Sequence, residues 1–199
     1  MPASQKIAAA DYDIEILLRS RWSPRAFDDR PITRADTLRL LEAARWAPSC
    51  ANEQPWRFIV ASRSDAAAFD RLLACLVEGN RKWAARANLL IILVAKLTFD
   101  RNGAPNKYVQ HDVGLALGSL LLQATAMGIA GHPMAGFDAE AARVSCGIPA
   151  GFDPVSVTAL GYPGDPDSLE DPYRTREMAS RERLTVGQLA FSGAWGNEL

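Results

Sequence analysis

The sequence LLIILVA at residues 89–95 is the longest strongly apolar run of this 199-residue chain. A run of seven residues is too short to cross a bilayer, because a transmembrane helix needs about 20. Its β-branched side chains favour an extended backbone. We therefore predict a buried internal strand at residues 89–95, and we expect neither a transmembrane segment nor a membrane partner.

Two further segments predict strands before and after this run. Residues 58–61 read FIVA, and residues 155–160 read VSVTAL and end in the turn GYPG at residues 161–164. A strand-like run also occupies residues 184–191, near the end of the sequence. The chain therefore carries a few short apolar strands separated by longer segments.

The segments between the strands have helical periodicity. A long pattern at residues 110–127 predicts a central buried helix. Thr33 and Asp36 have the spacing of a capping box, which predicts the start of a helix that ends before Pro48. Shorter helices are predicted at residues 11–20, 66–78 and 139–146.

The last part of the sequence has a different character. Residues 165–180 are polar and show little periodicity, so we expect an extended excursion there. An arm that has few residues to pack in a hydrophobic core of its own is most easily stabilised by packing against another subunit. We therefore expect one domain over residues 1–199, with a C-terminal arm of about 164–199 that is exchanged between the subunits of a homodimer.

Composition excludes several classes of function. The chain has 22 basic and 23 acidic residues and a net charge of −1, so no basic field for nucleic acid is present. Cys50, Cys75 and Cys146 form an odd set without CxxC spacing, and no segment resembles a secretory leader, so we expect a cytoplasmic protein. His111 and His132 lack partners at ligand-like spacing, so we expect no metal site. No dinucleotide-binding glycine motif is present, which argues against a Rossmann domain for nicotinamide.

Three separated segments carry the candidate chemistry. They are RWSPRAF at residues 21–27, PSCANEQPW at residues 48–56 and RER at residues 181–183. If the fold brings the arginines together, their N–H donors suit a phosphate group, which makes a mono-phosphorylated cofactor the leading candidate. The middle segment has the small residues and amides of a tight loop that exposes its backbone.

Each of these features also has an ordinary structural explanation. Surface arginines are usually solvated, and Asn52 and Gln54 can simply satisfy the backbone of a turn. Cys50 suits a small buried filler better than a reactive thiol. Trp83 adjoins apolar periodicity and suits a core or interface anchor.

Taken in order, these segments resemble the FMN-dependent nitroreductase family. The similarity also includes GNRKWAARANLLIILVA from residue 79, HDVGLALGSLLLQA from residue 111, GHPMAGFD from residue 131 and ALGYP from residue 159. The resemblance implies an α+β nitroreductase-like fold, in which helices flank a central, mostly antiparallel sheet. It also implies an intertwined homodimer with two FMN sites at the interface.

The resemblance implies a role for each matching residue. Arg21, Ser23 and Arg25 would contact the phosphate and ribityl oxygens, and Arg181 and Arg183 would complete the cationic pocket. The backbone N–H groups of Ala135 and Gly136 would lie near flavin N5, so no catalytic side chain is required. The expected cofactor-binding set is Arg21, Trp22, Ser23, Arg25, Pro48, Ser49, Cys50, Asn52, Gln54, Asn80, Trp83, Pro133, Met134, Ala135, Gly136, Arg181 and Arg183.

The activity implied by this resemblance is an NAD(P)H-dependent flavin oxidoreductase. Hydride would pass from NADH or NADPH to flavin N5 and then, in a ping-pong sequence, to a small nitroaromatic, quinone or similar electron-poor acceptor. Two alternatives stay open from the sequence. One is an FMN-binding sensor or regulatory module without turnover, and the other is a flavin-free scaffold in which the arginines only form salt bridges.

Overall fold

Four strands form one antiparallel sheet in the computed structural model, which describes residues 6–199. The strand order is β1-β2-β4-β3, and each pair of neighbours is antiparallel. The predicted strand at residues 89–95 is confirmed as part of β2, which is buried over seven of its eight residues. The bounds are Trp56–Ser62 for β1, Leu89–Lys96 for β2, Ala130–Met134 for β3 and Phe152–Gly161 for β4.

Strand β3 was not predicted from the sequence, and its composition explains why. The strand reads AGHPM, and Pro133 has no N–H group to donate to a neighbouring strand. Such a residue is tolerated because β3 lies at the edge of the sheet and pairs only with β4. Gly131 lies close to the core, and a Cβ at this position would lie 2.5 Å from a methyl carbon of Leu121, so that side chain would have to move.

Eight α-helices surround the sheet in the described part of the chain. The capping box is confirmed, because Thr33 Oγ1 accepts from Asp36 N at 3.0 Å and the Asp36 carboxylate accepts from Thr33 N at 3.3 Å. Short 3-10 turns occupy Cys50–Asn52 and Pro166–Ser168. The helices are α1 Ile16–Ser20, α2 Arg34–Arg45, α3 Ala66–Ala74, α4 Glu78–Ala84, α5 Val109–Ala126, α6 Ala139–Cys146, α7 Tyr173–Met178 and α8 Val186–Leu189.

Four of the sequence predictions need correction. Residues 165–180, expected to be an extended excursion, instead contain the 3-10 turn Pro166–Ser168 and helix α7. The helix expected at residues 11–20 is only the five-residue α1. The helix expected at residues 66–78 ends at Ala74, because Leu76 leaves the helix to form a β-bridge with Phe137. The prediction of a strand at residues 184–191 is wrong, because Thr185 and Gln188 form a capping box that starts α8.

The sheet separates two hydrophobic clusters. Because side chains alternate along a strand, Leu90, Ile92 and Val94 of β2 face α3, α4 and α6, whereas Leu89, Ile91 and Leu93 face α2 and α5. Both faces of β2 are therefore covered, which accounts for its continuous apolar sequence.

The segment at residues 21–27 lies across the end of β4. Phe27 is 2% exposed and forms a β-bridge with Pro163. Gly164 donates its N–H to the carbonyl of Ala26 at 2.9 Å, and a Cβ at Gly164 would lie 2.5 Å from the carbonyl carbon of Phe27. The chain after β4 thus runs tightly against the segment that carries the first arginines.

The helices of residues 6–199 are all too short or too polar to span a membrane.

Candidate functional site

A cleft rich in cations forms where the N-terminal and C-terminal segments meet. It has a volume of about 170 Å³. Six cationic side chains line it, together with a single carboxylate, and we call it the arginine cleft. The lining residues are Lys6, Arg21, Trp22, Ser23, Arg25, Arg176, Glu177, Ala179, Ser180, Arg181 and Arg183.

The positive charges of the arginine cleft are crowded and partly removed from water. Burial lowers the pKa of Arg21, and the charge of Arg183 lowers it further. Burial also lowers the pKa of Arg181, with Arg21 and Arg183 as additional causes. A bound anion would relieve this repulsion, so the cleft has the electrostatics of an anion site.

The arginines differ in how they are held. Arg181 donates through Nη1 to the carbonyl oxygens of Lys6 at 2.7 Å and Arg19 at 2.6 Å, so it ties the C-terminal segment to the N-terminal one. Arg21 donates through Nη1 to Ser23 Oγ at 3.3 Å. The Arg25 guanidinium lies 5.9 Å from the centre of the Trp83 ring. Arg21 and Arg25 therefore keep most of their donors for a ligand.

The buried ring of Trp83 and the part-buried ring of His132 lie next to the cleft. Trp83 is only 2% exposed, and its ring centre lies 4.5 Å from that of His132. This places Trp83 in the core rather than on the cleft surface, in contrast to Trp22, which lines the cleft under Lys6. His132 Nδ1 lies 2.9 Å from the carbonyl oxygen of Pro24. Because a carbonyl oxygen can only accept, Nδ1 carries a proton and donates it.

The turn after β3 presents backbone donors. The N–H groups of Ala135 and Gly136 have no hydrogen-bond acceptor within residues 6–199. Asn80 Nδ2 donates to the Gly136 carbonyl at 3.0 Å, and a Cβ at Gly136 would lie 2.6 Å from that nitrogen. Pro133 is half-buried, whereas Met134 is 3% exposed and packs in the core. The turn can therefore offer two N–H donors to a ligand.

The loop of residues 48–54, which we call the amide loop, has an unusual backbone. Ala51, Asn52 and Gln54 have φ values of 53°, 55° and 50°. Non-glycine residues rarely adopt this left-handed conformation, and they concentrate at ligand sites because the surrounding structure must enforce it. Pro48, Asn52 and Gln54 are exposed on this loop.

Buried carboxylates hold the amide loop in this conformation. Asp112, at 1% exposure, accepts from the N–H of Cys50 at 2.9 Å. Glu53 pairs with Lys96 of β2 at 2.8 Å, and both side chains are largely buried. Within the loop, Ser49 Oγ accepts from the N–H of Gln54 at 3.0 Å. The expected roles of Ser49 and Cys50 thus include support of the loop itself.

The amide loop lies far from the arginine cleft in the same chain. The loop leads into Trp56, which pairs with Ala95, whereas His132 beside the cleft pairs with Ala159. Ala95 is paired with Asp153, six positions along β4 from Ala159, and β1 lies three strands away from β3. With about 3.3 Å per residue and about 4.8 Å per strand, the two regions are on the order of 20 Å apart. One chain therefore does not bring all the expected residues together.

Three charged residues beside the cleft were missed as candidates from the sequence. Lys6, Arg176 and Glu177 line it, but the sequence around each shows no motif. Arg176 and Glu177 lie in the polar segment expected to be an extended excursion, where α7 instead forms. For Arg176 and Glu177, the one signal available in the sequence was their closeness to the RER motif at residues 181–183. Within residues 6–199, no three His, Cys, Asp or Glu side chains are grouped so as to hold a metal ion.

The family model described as the nitroreductase family matches residues 18–162. A protein of Mycolicibacterium smegmatis, named only as an uncharacterized 15.4 kDa protein, is 39% identical over 150 residues, which cover 72% of this chain and 99% of that protein. A protein of Archaeoglobus fulgidus, provisionally named NADH dehydrogenase/NAD(P)H nitroreductase, is 31% identical over 172 residues, which cover 84% of this chain and 94% of that protein.

The fold is also similar to that of solved structures. A crystal structure described as an oxidoreductase containing FMN superimposes with a TM-score of 0.89 at 33% sequence identity. The match covers 95% of this chain and 96% of the other. The predicted nitroreductase-like arrangement of an antiparallel sheet flanked by helices is thereby confirmed.

His132 makes stability depend on pH. Burial lowers its pKa to about 4, below the value of about 6.5 that it has when unfolded. The folded protein therefore binds fewer protons between these values, and acidification favours unfolding.

We expect the free energy of unfolding to fall by on the order of 2 kcal/mol more in the wild type than in His132→Asn between pH 7 and pH 4, after allowing for partial exposure. Asn keeps an N–H donor but does not titrate, and urea unfolding at each pH gives the two curves. Parallel curves would contradict the assignment.

Proposed function

The chain belongs to the nitroreductase family, a family of oxidoreductases, and on that premise we propose that it binds FMN and uses NADH or NADPH to reduce small electron-poor acceptors such as nitroaromatics or quinones. The observation that carries the proposal is the arginine cleft. The terminal phosphate of FMN carries up to two negative charges, and the cleft offers six cations against one carboxylate. The FMN in the related oxidoreductase structure supports the same assignment.

The chain's own residues fit the parts of this cofactor. Arg21, Ser23, Arg25 and Arg183 would hold the phosphate, while Arg181 mainly fixes the arm that carries Arg183. The free N–H groups in the turn after β3 would face the ring, with Asn80 beside them. The amide loop would cover the ring from another direction. FMN bound among these residues would supply the two-electron chemistry of hydride transfer between the nicotinamide and the acceptor, which we propose to follow ping-pong order.

We infer that the complete site needs two copies of the chain. Residues 1–199 would form one domain, and the arm of about 164–199 would pack on the partner. The separation of the amide loop from the cleft supports this, because a second copy could supply the loop. The arm also exposes large apolar side chains, with Leu184 at 61%, Leu189 at 63% and Trp195 at 90% exposure. Such surfaces suit an interface between subunits.

Turnover is tested by mixing the flavin-loaded protein with NADPH and separately with NADH in an anaerobic stopped-flow instrument. We expect the visible absorption of oxidised flavin to be bleached and then restored when a nitroaromatic or quinone is added. A bound flavin that neither dinucleotide bleaches would instead support an FMN-binding module without turnover. A protein that does not take up FMN would overturn the whole proposal.

The phosphate assignment is tested by Arg21→Ala combined with Arg183→Ala. Each substitution removes a charge-assisted contact worth about 1.5–3 kcal/mol, so we expect the Kd for FMN to rise at least about 100-fold. Arg34→Ala combined with Arg86→Ala removes the same charge from two arginines outside the cleft and serves as the control. Flavin fluorescence titration gives both constants. Equal flavin affinity in the two double variants would refute the placement.

The shared site is tested by co-expressing two inactive variants. One is Arg21→Ala with Arg183→Ala, and the other is Asn52→Ala with Gln54→Ala in the amide loop. If each site takes its arginines from one chain and its loop from the other, every mixed dimer contains one intact site, and about a quarter of wild-type turnover returns. If both groups act within one chain, no mixed dimer has an intact site. In that case turnover stays at the level of the separate variants.

A further inference from the structure

Glu177 is an unexpected residue in a cleft that attracts anions. It lies near the end of α7, is 1% exposed and, among the lining residues within 6–199, is the only carboxylate in the arginine cleft. Its negative charge opposes phosphate binding on simple electrostatic grounds. A buried charge is also costly to the fold unless it is paired or hydrogen-bonded. The hydrogen bonds of this carboxylate explain why it is present.

The carboxylate binds the backbone of the first arginine segment. Glu177 Oε2 accepts from the N–H of Arg25 at 2.9 Å, and Oε1 accepts from the N–H groups of Arg25 at 3.0 Å and Ala26 at 3.1 Å. Burial raises the pKa of Glu177, whereas these two backbone donors, Arg25 and Lys6 act in the opposite direction. Both carboxylate oxygens are thus occupied by the protein itself.

These hydrogen bonds join the two parts of the chain that supply the cations. Arg25 and Glu177 are 152 positions apart in sequence. Arg21 and Arg25 lie on one side of the junction, and the residues after α7 carry Arg181 and Arg183 on the other. On the opposite side of the first segment, His132 holds the carbonyl of Pro24. The backbone around Pro24 and Arg25 is therefore fixed from two directions.

We propose that Glu177 is a positioning residue for the phosphate group of the cofactor, an inference that rests on the proposed function. Its carboxylate does not contact the phosphate. It holds the Arg25–Ala26 backbone against α7, so that the donors of both segments have one arrangement before the anion binds. Preorganised donors bind more tightly because less order must be gained on binding.

The chemistry of a carboxylate, rather than an amide, is required for this role. A carboxylate has only acceptors, so both oxygens can face the two N–H groups. The amide of Glu177→Gln is nearly equal in volume, and its single oxygen could take the place of Oε1, but its NH₂ group would then face the N–H of Arg25 where Oε2 now accepts at 2.9 Å, so donor would meet donor. The substitution also removes a negative charge from the cleft. A purely electrostatic role therefore predicts tighter FMN binding, and the positioning role predicts weaker binding.

The experiment compares FMN with riboflavin, which has the same ring and ribityl chain but no phosphate. We expect Glu177→Gln to raise the Kd for FMN at least tenfold and the Kd for riboflavin less than twofold, both measured by flavin fluorescence. Glu170→Gln, which changes an exposed carboxylate just before α7, should leave both constants unchanged. Thermal unfolding of the flavin-free proteins checks that each variant is folded.

Several outcomes would overturn the inference. FMN affinity that is unchanged or higher in Glu177→Gln would show that the carboxylate does not position the site. An equal loss for FMN and riboflavin would assign Glu177 to general stability. If Glu177→Gln does not fold, Glu177→Asp takes its place, because it keeps the charge but is too short to reach both N–H groups, and the same selective loss is expected. Failure of the wild type to bind FMN would instead overturn the proposed function.

Discussion

The candidate site exists only because the fold holds several cations together against their mutual repulsion. Lys6, Arg21, Arg25, Arg176, Arg181 and Arg183 line one small cleft. They come from the two ends of the chain, and burial lowers the pKa of several of them. Such a group stays together only if the backbone that carries it is held firmly elsewhere. The described structure meets this need with the docking of residues 21–27 on β4, with the two carbonyls bound by Arg181 and with the contacts of His132 and Glu177.

The sequence predicted those elements whose signals are local. The apolar run at residues 89–95 indicated a doubly buried strand, and Thr33 with Asp36 indicated a helix start, because each depends on near neighbours. Strand β3 could not be predicted in this way. Its glycine and proline oppose strand formation, and only its place at the edge of the sheet makes Pro133 acceptable. The run at residues 184–191 failed for the opposite reason, since its apolar residues suit a strand but Thr185 and Gln188 cap a helix.

Site residues that belong to a sequence motif could be predicted. Site residues whose role depends on a contact with a distant part of the chain could not. The arginines of RWSPRAF and RER do meet, as expected from charge and from the family resemblance. Trp83 matched a family position, and the structure buries it beside the ring of His132. Glu177 had no signal in the sequence, because its significance is a contact with a backbone 152 positions away. The distance between the amide loop and the cleft likewise depends on strand order, which short motifs do not encode.

The amide loop shows how such a divided site can still be rigid. Its left-handed residues would be unfavourable in an isolated segment, but the Cys50–Asp112 hydrogen bond and the Glu53–Lys96 pair enforce them within one chain. The free-energy cost of that left-handed conformation is therefore offset when the chain folds, and it does not reduce the free energy of ligand binding. The same holds for the arginine cleft, whose contacts to carbonyls and to Glu177 are internal to the chain. If two copies combine these regions, each contributes a preformed half, and a ligand that bridges the halves stabilises the assembly by mass action.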